Sequence, residues 1–210
     1  MDNFMQPIAL LETSLTCAVL MIWLIQKMMP FQIPVAARII FAILLANLFF
    51  WPLGFSMALP IALPLAAYVR GITGDLSVVT SLLLWSSVLF NPKAIPLGFK
   101  WFIGVIAMAF YPLALGVGMM DPYAWGYGSI AFLIAVLVFT VTCGVANWTR
   151  GIWIFAIAII AWSVHWHEST NLWDYLLDPF LAIWALWAAL YAIRQKRKEK
   201  ARSGYLFRAG

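Results

Sequence analysis

GFSMALPIALPLAAYVRGITGDLSVVTSLLLWSSVLF, residues 54–90, decides how this chain is read. It holds two apolar runs of about 16 residues each, Phe55–Arg70 and Leu76–Phe90, joined by a turn that places Arg70 and Asp75 around Gly71 and Gly74. At about 1.5 Å of rise per residue each run spans near 24 Å, short of a hydrocarbon core of roughly 30 Å. Short hydrophobic segments bounded by Pro or Gly point to functional sites in membrane proteins. The pattern predicts a helical hairpin, with Gly71 closing its first helix and Thr73 or Asp75 capping its second.

Composition places the whole chain in the same solvent. Hydrophobic residues make up 65% and charged residues 10%, against roughly 25% charged in a soluble domain. The expected fold is therefore all-α, a polytopic membrane bundle of seven or eight transmembrane segments over residues 1–193. The net charge of +5 is a property of the tail: residues 194–210 hold seven of the 13 basic side chains and one of the eight acidic ones. Arg194, Lys196, Arg197, Lys198, Lys200 and Arg202 directly after an apolar helix read as a cytoplasmic flank facing anionic lipid, not as a nucleic-acid site.

Outside the central pair, the apolar runs are Ile8–Met28, Val35–Trp51, Phe99–Met120 with a kink expected at Pro112, Gly128–Trp148, Gly151–Val164 and Pro179–Ile193. Met1–Pro7 offers no basic n-region, so the first run is expected to be retained. Tryptophan and tyrosine gather near the run ends, as at Trp51, Tyr123, Trp125 and Trp148, which is the aromatic belt of a bilayer interface. Cys17 and Cys143 sit inside apolar runs and read as small buried hydrophobes. If residues 54–90 make one net crossing, Lys27, Arg38, Lys93, Lys100 and Arg150 all share the tail's side. Seven crossings plus a re-entrant segment satisfies the positive-inside rule better than eight.

Ionisable residues inside apolar runs cost about 2.5–3.5 kcal/mol each on insertion scales, so each is a candidate. Glu12 and Arg38 lie near the starts of their runs and are expected to snorkel to opposite faces. With Arg70 and Asp75 they form a candidate substrate-binding set, in which Arg70 and a helix end can receive phosphate. The loop His165–Asp178 contains both histidines and three of the eight acidic residues. His165, His167, Glu168 and Asp174 are its candidate catalytic set. The His-x-His-Glu order lacks the spacing of a zinc helix, so no metal or other cofactor is assigned. If the loop is extended, both imidazoles point the same way.

Three function classes follow. The first is a non-catalytic membrane component, either a transmembrane subunit of a complex or a small carrier, with lipids and other membrane chains or copies of itself as partners. The second is a membrane enzyme acting on a lipid-linked or headgroup substrate at the outer face through residues 165–174. The third is an ion- or proton-coupled transporter. A bacterial inner membrane, with the C-terminus cytoplasmic, is the expected location.

Overall fold

The computed structural model describes residues 5–52, 63–90 and 93–206, and the side chains of residues 7–52, 63–90 and 93–199. Among them the chain is all-helical, with no strand. The helices are α1 (Met5–Met28), α2 (Val35–Phe50), α3 (Leu65–Thr73), α4 (Val78–Leu89), α5 (Leu97–Ala114), α6 (Ile130–Val145), α7 (Thr149–Ser163), α8 (Trp173–Leu176) and α9 (Pro179–Leu206), with one 3-10 turn at Tyr123–Gly126. Two are long and apolar enough to cross a membrane, over Pro7–Met28 and Leu97–Ala114. Four more, α2, α4, α6 and α7, are apolar but shorter.

Packing divides the chain into two compact units. Unit 1 comprises residues 1–93 and 125–176, and unit 2 comprises residues 94–124 and 177–210. In unit 2, α5 packs on α9 at Gly104, where an added Cβ would lie 2.9 Å from Leu186 Cδ2. Pro112 stands in the last turn of α5 and the helix stops at Ala114, so the expected span to Met120 is cut short. The stop is a Schellman motif: the Val117 N–H donates to the Pro112 carbonyl and the Gly116 N–H to the Leu113 carbonyl, with Gly116 at φ +90°. Asp178 opens α9 by accepting the Leu181 N–H at 2.7 Å, with Pro179 in the first turn, where its missing N–H costs nothing. This helix runs on through the basic tail to Leu206, because Arg, Lys, Glu and Ala are all good helix formers.

Unit 1 is built on α1, α2 and α4. Val19 and Ile22 of α1, Ala42 of α2, and Val88 and Leu89 of α4 form its buried core, flanked by Leu15, Leu45, Leu84 and Trp85. These contacts level the C-terminal half of α1 with the end of α4. Arg38, near the start of α2, donates to the Val88 carbonyl at 2.6 Å, so α2 starts where α4 ends. Arg70 and Asp75 lie at the opposite end, where α4 begins. α2 and α4 therefore run antiparallel. Residues 54–62, the first half of the run expected at Phe55–Arg70, lie outside the described residues. The described part is the nine-residue α3, preceded by Pro64, which biases the residue before it away from helical geometry.

The turn itself departs from expectation. Gly71 lies inside α3, and Gly74, at φ +72° and ψ −172°, closes the helix in a conformation open only to glycine. Ser77, not Thr73 or Asp75, caps α4: its hydroxyl accepts the Thr80 N–H at 3.2 Å.

Polarity is distributed inside out. Ser14, Thr16, Ser77, Ser81 and Thr140 are buried in unit 1, while Phe41, Ile43 and Leu44 of α2 and Ile130, Val138 and Val141 of α6 are exposed.

Candidate functional site

The candidate residues of unit 1 sort to two ends. At the end where α1 and α4 begin lie Glu12, Arg70, Asp75 and the loop between α7 and α8. At the other lie Lys27, Arg38 and Arg150. Arg150 donates to Ser87 near the foot of α4 at 3.2 Å. Arg38 is only 3% exposed and serves the last turn of α4, whose carbonyls lack helical donors and carry the negative end of the dipole. It therefore does not snorkel. Glu12, 6% exposed, does not snorkel either.

The loop is formed by helix termination. His165 has φ +53°; its N–H donates to the Trp162 carbonyl, and the Trp166 N–H to the Ala161 carbonyl. This is the same Schellman geometry, with histidine in the left-handed position that glycine usually takes. The reversal exposes His165 and turns His167 inward to 3% exposure. The two imidazoles therefore do not point the same way, because the backbone between them is a helix stop and not a strand.

His167 is held on every side. Its ring stacks on Tyr175 of α8 at 4.8 Å between centroids and 18° between planes. Its N–H donates to the Tyr175 hydroxyl at 3.0 Å, and that hydroxyl donates to the Ser169 carbonyl at 2.9 Å. Burial pushes the Tyr175 phenol up, against a hydrogen bond with His167 that lowers it. Its Nε2 lies 2.9 Å from Glu12 Oε2, across 155 residues of sequence. Glu12 is 6% exposed, and its other oxygen, Oε1, is buried without a hydrogen-bond partner. The neighbouring hydroxyls are engaged elsewhere: Thr13 and Ser14 donate to the Ala9 and Leu10 carbonyls, and Thr16 accepts from Trp85 Nε1.

Arg70 forms a fork on Asp75 and reaches Glu168 Oε1 at 3.1 Å. Burial raises the Asp75 carboxyl, but the hydrogen bonds and charge of Arg70 outweigh it and hold the group below its ordinary value. Both Arg70 partners are partly exposed, so the cluster is a solvated tie between the α3–α4 turn and the loop, worth at most about 1 kcal/mol.

Asp174 builds structure. It accepts from the Ser169 hydroxyl, while Asn171 Oδ1 accepts the Trp173 N–H at 2.9 Å to cap α8. Asn171 also rests on Gly126, where an added Cβ would fall 1.6 Å from Oδ1, and the Leu172 N–H donates to the Gly126 carbonyl. Asn171 followed three residues later by Asp174 is a capping pattern that sequence reading passed over. Tyr175 carried no such signal.

Structure thus joins Glu12 to His167 and Arg70 to Asp75 and Glu168, and separates His165 and Arg38 from both. Among the described residues no group of three or more His, Cys, Asp or Glu side chains is placed to hold a metal ion. Comparison with protein-family models, with curated proteins and with solved structures found no match.

Proposed function

We propose that this chain is a polytopic integral membrane protein that acts without catalysis, as a transmembrane subunit of a complex or as a small carrier. The observation that carries the reading is the inverted polarity of unit 1, with hydroxyls, Arg38, Glu12 and His167 inside and large apolar side chains outside. In water such a surface would aggregate; in lipid it is the expected one. The passes of α1, α2, α4, α6 and α7, together with α5 and α9 of unit 2, make seven, and α3 re-enters. Cations at one end of unit 1 and carboxylates at the other orient the basic end to the cytoplasm, and a bacterial inner membrane is the proposed location.

The enzyme reading has less support, since Asp174 accepts from Ser169 within the loop, Glu168 pairs with Arg70, and His165 stands exposed apart from His167. A proton-coupled carrier is favoured over it by the buried Glu12–His167 contact, because acid–base groups inside a bundle mark ion or proton paths. Native mass spectrometry of the full chain, extracted in mild detergent from its own membrane, separates the two forms of the proposal. Partner chains in fixed ratio make it a subunit; a lone chain or homo-oligomer with transport activity after reconstitution makes it a carrier. Loss of membrane integration altogether refutes both.

A further inference from the structure

Toward the acidic end of unit 1, Glu12 Oε1, Ser81 Oγ and Trp166 Nε1 are buried without a hydrogen-bond partner, and of these only Glu12 Oε1 belongs to an ionisable group. Glu12 sits two turns above the apolar core on α1, with one carboxylate oxygen against an imidazole and the other against nothing polar. A carboxylate and a neutral imidazole in that position leave a net charge of −1 without solvent, and a protonated acid beside an imidazolium leaves +1. A single shared proton leaves zero, whichever atom carries it. Low polarity penalises both states of net charge, so the one-proton state is the favoured one.

The groups around the pair belong to the acidic end of unit 1. Around the pair stand Tyr175 of α8, stacked on the ring, and Asp75 of the α3–α4 turn, whose carboxyl is lowered mainly by Arg70 and in small part by His167. Asp174 acts on the Tyr175 hydroxyl, as Asp75 and Glu12 do. Beyond them lie Arg70 and Glu168, the latter with a side chain 63% exposed. His167 is thus one residue from a solvated carboxylate. Toward the other end, Val19, Ile22, Ala42, Val88 and Leu89 form an apolar layer.

We propose that Glu12 and His167 form a proton-binding site that holds one shared proton and exchanges it only with the acidic end of unit 1. In uptake, a proton from water at that end is bound between Glu12 Oε2 and His167 Nε2; in release it returns there, leaving carboxylate and neutral imidazole. One-sided exchange rests on the membrane reading above, whereas the shared proton does not.

The test is a pH titration of the full chain in detergent micelles, followed by nuclear magnetic resonance with labelled histidine and glutamate. His165→Asn keeps the left-handed cap and leaves His167 as the sole imidazole. The His167 ring and the Glu12 carboxyl are expected to move together on one curve. In Glu12→Gln the ring is expected to bind its proton at least tenfold more weakly, having lost its counter-charge. Separate curves for ring and carboxyl overturn the site, and this comparison needs no substitution within the pair. An unchanged ring curve in folded Glu12→Gln overturns it equally. In sealed vesicles of defined orientation, the signals should follow pH on the acidic side alone; a response to either side overturns one-sided exchange. A chain that fails to enter vesicles overturns the membrane reading and one-sidedness together, while co-titration in micelles would still support the shared proton.

Discussion

Removing one member of the Glu12–His167 pair should be far more damaging than removing both. His167→Leu leaves Glu12 buried with neither oxygen partnered and also removes the stack on Tyr175. Breaking a buried pair from one side costs about 3–5 kcal/mol, to which the lost ring contact adds about 0.5–1.5 kcal/mol. Glu12→Leu strands an imidazole nitrogen instead, at about 1–3 kcal/mol. Additive effects would sum to roughly 4.5–9.5 kcal/mol in the double variant. Yet two apolar side chains of similar volume leave no charge to desolvate, and such replacements are often neutral or stabilising. The expected double variant therefore unfolds within about 1–2 kcal/mol of the parent, the Tyr175 contact being the unrecovered part. Equilibrium unfolding in mixed micelles, read by tryptophan fluorescence, measures all four corners of the cycle. A double variant that equals the sum of the singles to within about 0.5 kcal/mol would refute the coupling.

Three further outcomes follow from the same geometry. His165→Gly should raise stability by about 0.5–1 kcal/mol, because glycine occupies the left-handed position without the steric cost of a Cβ; a lowered melting temperature would contradict the capping role. Gly126→Ala drives a methyl into the Asn171 amide and uncaps α8, and should cost about 3 kcal/mol in thermal unfolding, whereas Gly71→Ala, with open space around its Cβ position, should cost nothing. The Arg70–Asp75 tie should depend on acid alone. The folded-state carboxyl ionises below its ordinary value, so its stabilisation is complete above about pH 4–5 and is lost as pH falls through the lowered value. Asp75→Asn should flatten that acid limb of the stability curve and leave neutral pH nearly unchanged. An effect growing between pH 6 and 8 would assign the tie to another group.

Much of the helical layout was legible because apolar runs and their breakers are local signals. Pro179 with Asp178 and the glycines after Arg70 each mark a boundary within a few residues of where it falls. The choice between Gly71 and Gly74 was not legible, since either glycine can end a helix and only packing selects the register. His165 illustrates the limit in another way: a histidine in a left-handed cap looks, in sequence, like half of a ligand pair. Glu12 and His167 were each singled out, yet nothing local links residues 155 positions apart. Their meeting depends on α1 and α7 placing their ends on the same side. The antiparallel course of α2 and α4 has the same origin, because it is decided by the contact between Arg38 and Val88 and not by the length of either run.

On the proposed membrane reading, unit 1 presents a carboxylate-rich end and a cationic end to opposite sides of a membrane. Single cysteines answer it directly, at Glu168 and at Lys27, in a chain with Cys17 and Cys143 replaced by alanine. A membrane-impermeant thiol reagent applied to intact cells should label Glu168→Cys at once and Lys27→Cys only after the membrane is opened. Labelling of both from the same side, or recovery of the chain in the soluble fraction without detergent, would contradict the account.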